Sequence, residues 1–207
     1  MDAQRLIKST RHALTEVRSV PPALIEAWQA CTLVEAVAAT TAIGFAQQAL
    51  LEGRPCGAVE IASALAEAAG HAAVCVGRPP DDSGGPSRAE RLSTVQDVEA
   101  TVRELRTLIH ETAEALIVLA CGAAEQELYW RCIDSVDAVA ECQELATELL
   151  RAVRAGRPET GPTRPDRSDQ PDAPDQPDQP DPPDPPDQPD PPDQPDRDPD
   201  PAVEGGS

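Results

Sequence analysis

Three histidines and six cysteines are the side chains of this 207-residue chain best suited to nucleophilic, acid–base or metal chemistry. A Ser or Cys nucleophile needs a base to take its proton, and only His12, His71 and His110 offer an imidazole. The one Ser-Gly-Gly, at Ser83, lacks the G-x-S-x-G elbow, and no G-x-x-x-x-G-K-S/T phosphate cradle occurs. Carboxylates at helical spacing, Glu111 with Glu114 and Glu141 with Glu144, have no E-x-x-H companion and so do not spell a di-metal site. No two of Cys31, Cys56, Cys75, Cys121, Cys132 and Cys142 form a C-x-x-C pair. Small apolar thiols buried in helices explain them better than zinc or disulfides. No catalytic residue, cofactor or metal site is therefore expected.

One spacing does carry a possible chemistry. Arg103 and His110, like Arg5 and His12, have six residues between them, which places each pair on one helix face two turns apart. That spacing resembles the RNase motif of HEPN helical bundles and implies, as an alternative, a HEPN-like RNase cutting RNA with Arg103 and His110, or an antitoxin-type helical partner. The motif usually has Asn, Asp or His directly after the Arg; here Glu104 and Leu6 stand there. A solvent-facing charge beside a helical seam is the simpler account. A helical-hairpin secretion substrate fits no better. It requires W-x-G and Y-x-x-x-D/E, whereas Trp28 is followed by Gln29 and Ala30, and Ile133 stands four residues after Tyr129. Trp28, Tyr129 and Trp130 remain as a candidate partner surface, because exposed aromatics anchor partners. Adjacent helical residues point about 100° apart, so one of Tyr129 and Trp130 is expected in the core and the other near the surface.

The elements that would position these residues are all helical. Asp2 can cap a first helix running to about Val20, with Leu6, Thr10, Ala13, Leu14 and Val17 on one stripe and Arg5, Lys8, Arg11 and Arg18 largely off it. Pro21 and Pro22 stop that helix and suit the first turn of the next, which carries Leu24, Trp28, Cys31, Ala38, Ala42, Phe45 and Ala49 until Gly53. Val59, Ala62, Leu65, Ala69, Ala72 and Val76 mark a third, and residues 77–90 collect Gly, Pro, Asp and Ser into a loop. Ser93 and Gln96 have capping-box spacing; after them Val95, Val98, Val102, Leu105, Ile109, Thr112, Leu116 and Leu119 step by three and four. A second seam, Leu128, Cys132, Val136, Val139, Cys142, Ala146, Leu149 and Val153, ends at Gly156. Between the seams the chain either turns near Gly122 or kinks, and a turn buries both seams against each other. The expected fold is all-α: an up-and-down bundle of about five helices over residues 1–156, followed by a disordered Pro/Asp-rich tail.

That tail, residues 157–207, holds 17 of the 23 prolines and a net charge of −11, against −9 for the rest. Acid on both sides of the boundary disfavours nucleic acid and anionic membranes as partners. The N-terminus lacks a continuous apolar run for secretion, and the uncharged run from Ala36 to Leu51 is too short and polar to span a bilayer. A cytoplasmic protein is expected. From Asp166 to Asp196 aspartate recurs every third residue, which is the period of a polyproline II helix, so one edge would carry carboxylates roughly 9 Å apart. Calcium needs oxygens converging at about 2.3–2.6 Å, so the edge is a spacer, not a clamp. A basic partner could read it. Two long seams also suit a homo-oligomer or a helical protein partner.

The stretches "MDAQRLIKSTRHAL", "EAWQA" at 26–30 and "LYWRCIDSVDA" at 128–138 resemble an uncharacterised actinobacterial family, the one with domain of unknown function 6099, over residues 1 to about 155. The resemblance implies a small cytoplasmic helical protein and supplies no reaction or functional residue. Together these readings predict an uncharacterised, non-enzymatic interaction module.

Overall fold

The computed structural model describes residues 1–53, 56–79 and 87–156. The disordered-tail expectation for 157–207 falls outside them, as do residues 80–86 of the 77–90 loop. Five helices follow in order: α1 (Ala3–Glu16), α2 (Val20–Glu52), α3 (Gly57–Val76), α4 (Val98–Cys121) and α5 (Gln126–Ala155). No strand occurs among the described residues; Asp2 and Thr94 form one isolated parallel bridge.

Four of the helices make a square. α2 packs on α3 and α4, and α5 packs on α3 and α4, while α1 lies in the outer groove between α2 and α4. The Arg154–Glu99 ion pair at 3.1 Å joins the end of α5 to the start of α4, so these two are antiparallel. The 2–94 bridge and the Arg11 contacts below run α1 alongside α4 in the same direction. α3 and α4 also run the same way, because both begin at the same end of the bundle. The 3-10 turn Arg88–Arg91 is tied to α2. The Arg88 guanidinium pairs with Glu26, and the Arg88 backbone N–H donates to the buried Gln29 side chain at 2.9 Å.

Local chemistry sets the helix ends. The Asp2 carboxylate accepts from the Gln4 N–H at 3.1 Å and caps α1. The expected end near Val20 is corrected to Glu16: α2 takes Pro21 into its first turn, where an N–H is not needed, and Val17 to Ser19 remain to reverse the chain. α2 stops at Gly53, whose φ of 64° is the left-handed region open to glycine, and its N–H donates to the Ala49 carbonyl. The Ser93–Gln96 capping box does not form. Asp97 caps α4 through the Ala100 N–H at 3.0 Å, and the Ser93 hydroxyl instead accepts from the N-terminal ammonium at 2.9 Å. Val95 accordingly precedes the helix, half-buried against the core. At Gly122 the chain turns, four residues separating α4 from α5.

The two seams face the interior as their spacing requires. Val102, Leu105, Ile109, Thr112 and Leu116 of α4 are buried, as are Cys132, Val139, Cys142, Ala146 and Leu149 of α5. Across them α2 and α3 present mainly alanines (Ala27, Ala30 and Ala38 against Ala62, Ala69 and Ala72), which let helix axes approach closely. By length and mean hydropathy, 1.3 and 1.4, α2 and α3 could each cross a membrane; within the bundle their apolar faces form much of the core.

Buried hydroxyls separate into two kinds. Thr10, Thr41 and Thr112 each donate to the carbonyl one turn back, at 2.7–2.8 Å. Thr101 is fully buried, and its hydroxyl has no partner. Thr101→Val keeps the shape and removes the unsatisfied group, so it should raise stability by about 1 kcal/mol in urea unfolding, whereas Thr112→Val should lower it.

α1 is held by charge as well as by Leu6, Ile7 and Leu14. The Arg11 guanidinium bonds both Glu111 oxygens, at 2.9 and 2.7 Å, and Glu104 at 2.8 Å, with all three side chains under a third exposed. Arg11→Met strands two half-buried carboxylates beside an apolar stem. A loss of about 2 kcal/mol is expected, with amide exchange accelerated in α1 before the other helices.

Candidate functional site

The end of the bundle where α4 turns into α5 carries the most prominent exposed aromatic feature. Tyr129 and Trp130 occupy the first turn of α5 and are 40% and 54% exposed. Their rings meet edge to face, with centroids 5.2 Å apart and planes at 79°. The expectation that one of them enters the core is corrected here. The buried side of α5 runs through Leu128 and Cys132, and successive 100° steps from Leu128 carry both rings off that side and outside. Around the same end Ile117 and Val118 close α4, at 47% and 70% exposure, and Val74 stands on the last turn of α3. Arg131 reaches back to the α3 terminus, where its Nη1 lies near Gly77. Trp28, the third aromatic of the expected surface, is half-buried in α2 and packs against the core with Phe45.

From Trp130 the outward face of α5 continues through Asp134, Asp137, Glu141, Glu144 and Glu148, all exposed, at steps of four and three. No basic side chain among the described residues is within ion-pair distance of any of the five. α4 differs, since its Glu99, Glu104 and Glu111 are all paired with arginine.

Arg103 and His110 do lie on one outward face of α4, as their spacing requires, but each is engaged separately. The Arg103 guanidinium bonds Glu99 at 2.8 Å, and the His110 Nε2 lies 3.6 Å from Glu114; Arg103 and His110 are 55% and 60% exposed. His12 pairs likewise with Glu16 at 3.4 Å. Arg103 also lines a cleft of about 1040 Å3 at the opposite end of the bundle from the aromatic pair, where α2 and α5 end and α3 and α4 begin. Phe45, Ile61 and Val153 wall it, and two of its polar groups are engaged: Asp97 caps a helix, and Arg103 is paired.

The cysteines are free thiols. Cys31, Cys132 and Cys142 are buried as expected; Cys56 and Cys75 are half-buried and Cys121 is exposed, which corrects the expectation for those three. Cys31 and Cys142 face a common internal gap of about 10 Å3, too small and apolar for an ordered water. Burial pushes both thiols up to about 12, which keeps them protonated and unreactive at neutral pH. Cys75 lies 3.6 Å from the His71 Nε2 on the α3 surface, and burial together with Asp134 raises its pKa as well, so the pair does not hold a ready thiolate. Among the described residues no three His, Cys, Asp or Glu side chains converge as metal ligands.

The fold and this surface define a helical bundle with an aromatic, acid-flanked face. Residues 1–152 match the model of a family of unknown function, DUF6099, and the chain belongs to that family. No curated protein and no solved structure matches it.

Proposed function

We propose that the protein is a cytoplasmic, non-enzymatic interaction module that engages a protein partner through the end of the bundle bearing Tyr129 and Trp130, with residues 157–207 as an acidic spacer. One observation carries this reading. The chain has four aromatic residues in all, and two of them are spent side by side on the surface, in the first turn of a helix whose own seam is otherwise buried. Large rigid rings exposed together give up hydration cheaply on contact and anchor interfaces out of proportion to their area. Ile117 and Val118, near the end of α4, are exposed at the same end of the bundle. RNA cleavage would require Arg103 and His110 to face one substrate jointly, and each is instead engaged by a carboxylate of its own helix.

The test is a pull-down with full-length chain, its Tyr129→Ser/Trp130→Ser double variant, and residues 1–156. Both side chains are half exposed, so the double substitution should cost about 1–2 kcal/mol, too little to unfold the bundle. Partners held by wild type and by 1–156 should be lost from the double variant. Retention of every partner by that variant would remove the aromatic end from the function. RNA cleaved by the wild type but not by His110→Ala would replace the reading altogether.

A further inference from the structure

The aromatic pair heads a longer surface, and the charge along that surface says what kind of partner fits it. Building on the reading of the protein as an interaction module, we infer that the outward face of α5, from Trp130 to Glu148, docks a basic segment of a partner protein. That segment presents Arg or Lys at helical spacing with an apolar or guanidinium group at the Trp130 end.

The face is long enough for this. The eighteen steps from Trp130 to Glu148, at 1.5 Å each, span about 27 Å, or five turns, longer than the average helix of about three turns. Trp130, Asp134, Asp137, Glu141, Glu144 and Glu148 occupy successive positions on it, and residues three or four apart on a helix are neighbours about 5–6 Å apart. That distance is inside the Debye length of about 8 Å at physiological salt, so the five carboxylates act on an approaching charge together. They also repel one another, and no arginine of the described residues relieves them. Elsewhere in the same bundle the chain does supply such partners: Arg11 for Glu104 and Glu111, Arg88 for Glu26, Arg103 and Arg154 for Glu99. These arginines thus neutralise acids elsewhere and leave this stripe bare.

Charge then sorts the occupants. A second copy would lay the same negative stripe against itself. Nucleic acid and an anionic lipid surface carry the wrong sign. A cationic helix meets the carboxylates along its length, and its end residue meets the exposed face of an indole, the ring most favourable for a cation or an aliphatic stem. Complementary charge of this kind speeds encounter and selects the partner, while the aromatic anchor holds it.

The experiment pans a displayed library of random 16-residue peptides against the full-length chain at about 50 mM salt. The recovered peptides are then measured by fluorescence anisotropy against wild type, Trp130→Ala, and Asp137→Asn/Glu141→Gln/Glu144→Gln. The expected result is a consensus of Arg and Lys at three- and four-residue steps, with binding weakened about tenfold or more by either variant and by about 300 mM salt. An uncharged or acidic consensus, or no enrichment, overturns the inference. So does a basic consensus that binds both variants as well as wild type, since the acidic residues 157–207 would then be its target. A dimer in light scattering that Trp130→Ala dissociates also overturns it, in favour of a second copy. If the library result fails while the Tyr129→Ser/Trp130→Ser pull-down still loses its partners, the interaction module stands and only the basic docking segment falls.

Discussion

Between about pH 9 and 12 the folded chain should lose stability progressively through Cys31 and Cys142. Each thiol has its pKa pushed by burial from 9.0 up to about 12 in the folded protein. Above pH 9 the unfolded chain has released these protons while the folded chain still holds them, so every unit of pH favours unfolding, by on the order of 1 kcal/mol per thiol. The stabilising protonated state is fully kept below the unfolded value and is lost as pH climbs to the folded one. Burial raises Cys75 and Cys132 in the same direction and steepens the fall. Urea midpoints measured from pH 8 to 11 should therefore decline. In Cys31→Ala/Cys142→Ala the starting stability is lower and the decline shallower. An equally steep decline in that variant would place the linkage elsewhere, in tyrosine or arginine.

Leu105→Ala should cost about 3–5 kcal/mol, a large share of the roughly 5–15 kcal/mol that a domain of this size possesses. Leu105 is fully buried at the middle of the α4 seam, and removing its branch leaves a cavity that close-packed helices fill only in part. Leu50→Ala is the matched control. That side chain is 84% exposed on α2, so its truncation should change stability by no more than about 0.5 kcal/mol. Urea unfolding monitored by circular dichroism reads both. Similar costs for the two leucines would mean that the buried seam is not what holds α4 in place.

Much of the fold was legible because packing obeys helical periodicity. The three- and four-residue steps through Val102, Leu105 and Ile109, and again through Cys132, Val139 and Cys142, mark the faces that are buried, and the break between them marks a turn at Gly122. What periodicity cannot see is a partner distant in sequence. Ser93 has the spacing of a cap, but its hydroxyl is taken by the ammonium of Met1, 92 residues away, and Asp97 caps the helix instead. Arg11 reads as a solvent-facing base because its carboxylates are supplied by another helix. Tyr129 and Trp130 could be singled out by type, and their joint exposure follows from the seam through Leu128 and Cys132, which both rings miss. The acidic stripe from Asp134 to Glu148 was readable as letters. Its meaning lay in the absence of counter-ions from neighbouring helices, which only the packed bundle displays.

The long reach of Arg11 also sets an order of events during synthesis. Its two carboxylate partners lie 93 and 100 residues downstream, and the backbone bridge beside Asp2 needs Thr94. At about 5–20 residues per second, α1 is made about five to twenty seconds before its companions on α4 exist. Within that interval α2 and α3 are completed and can pair as a local hairpin, and α1 has only α2 to pack on. α1 is thus made well before it is fully secured, and the nascent chain passes through a stage in which the α4-facing side of that helix is open.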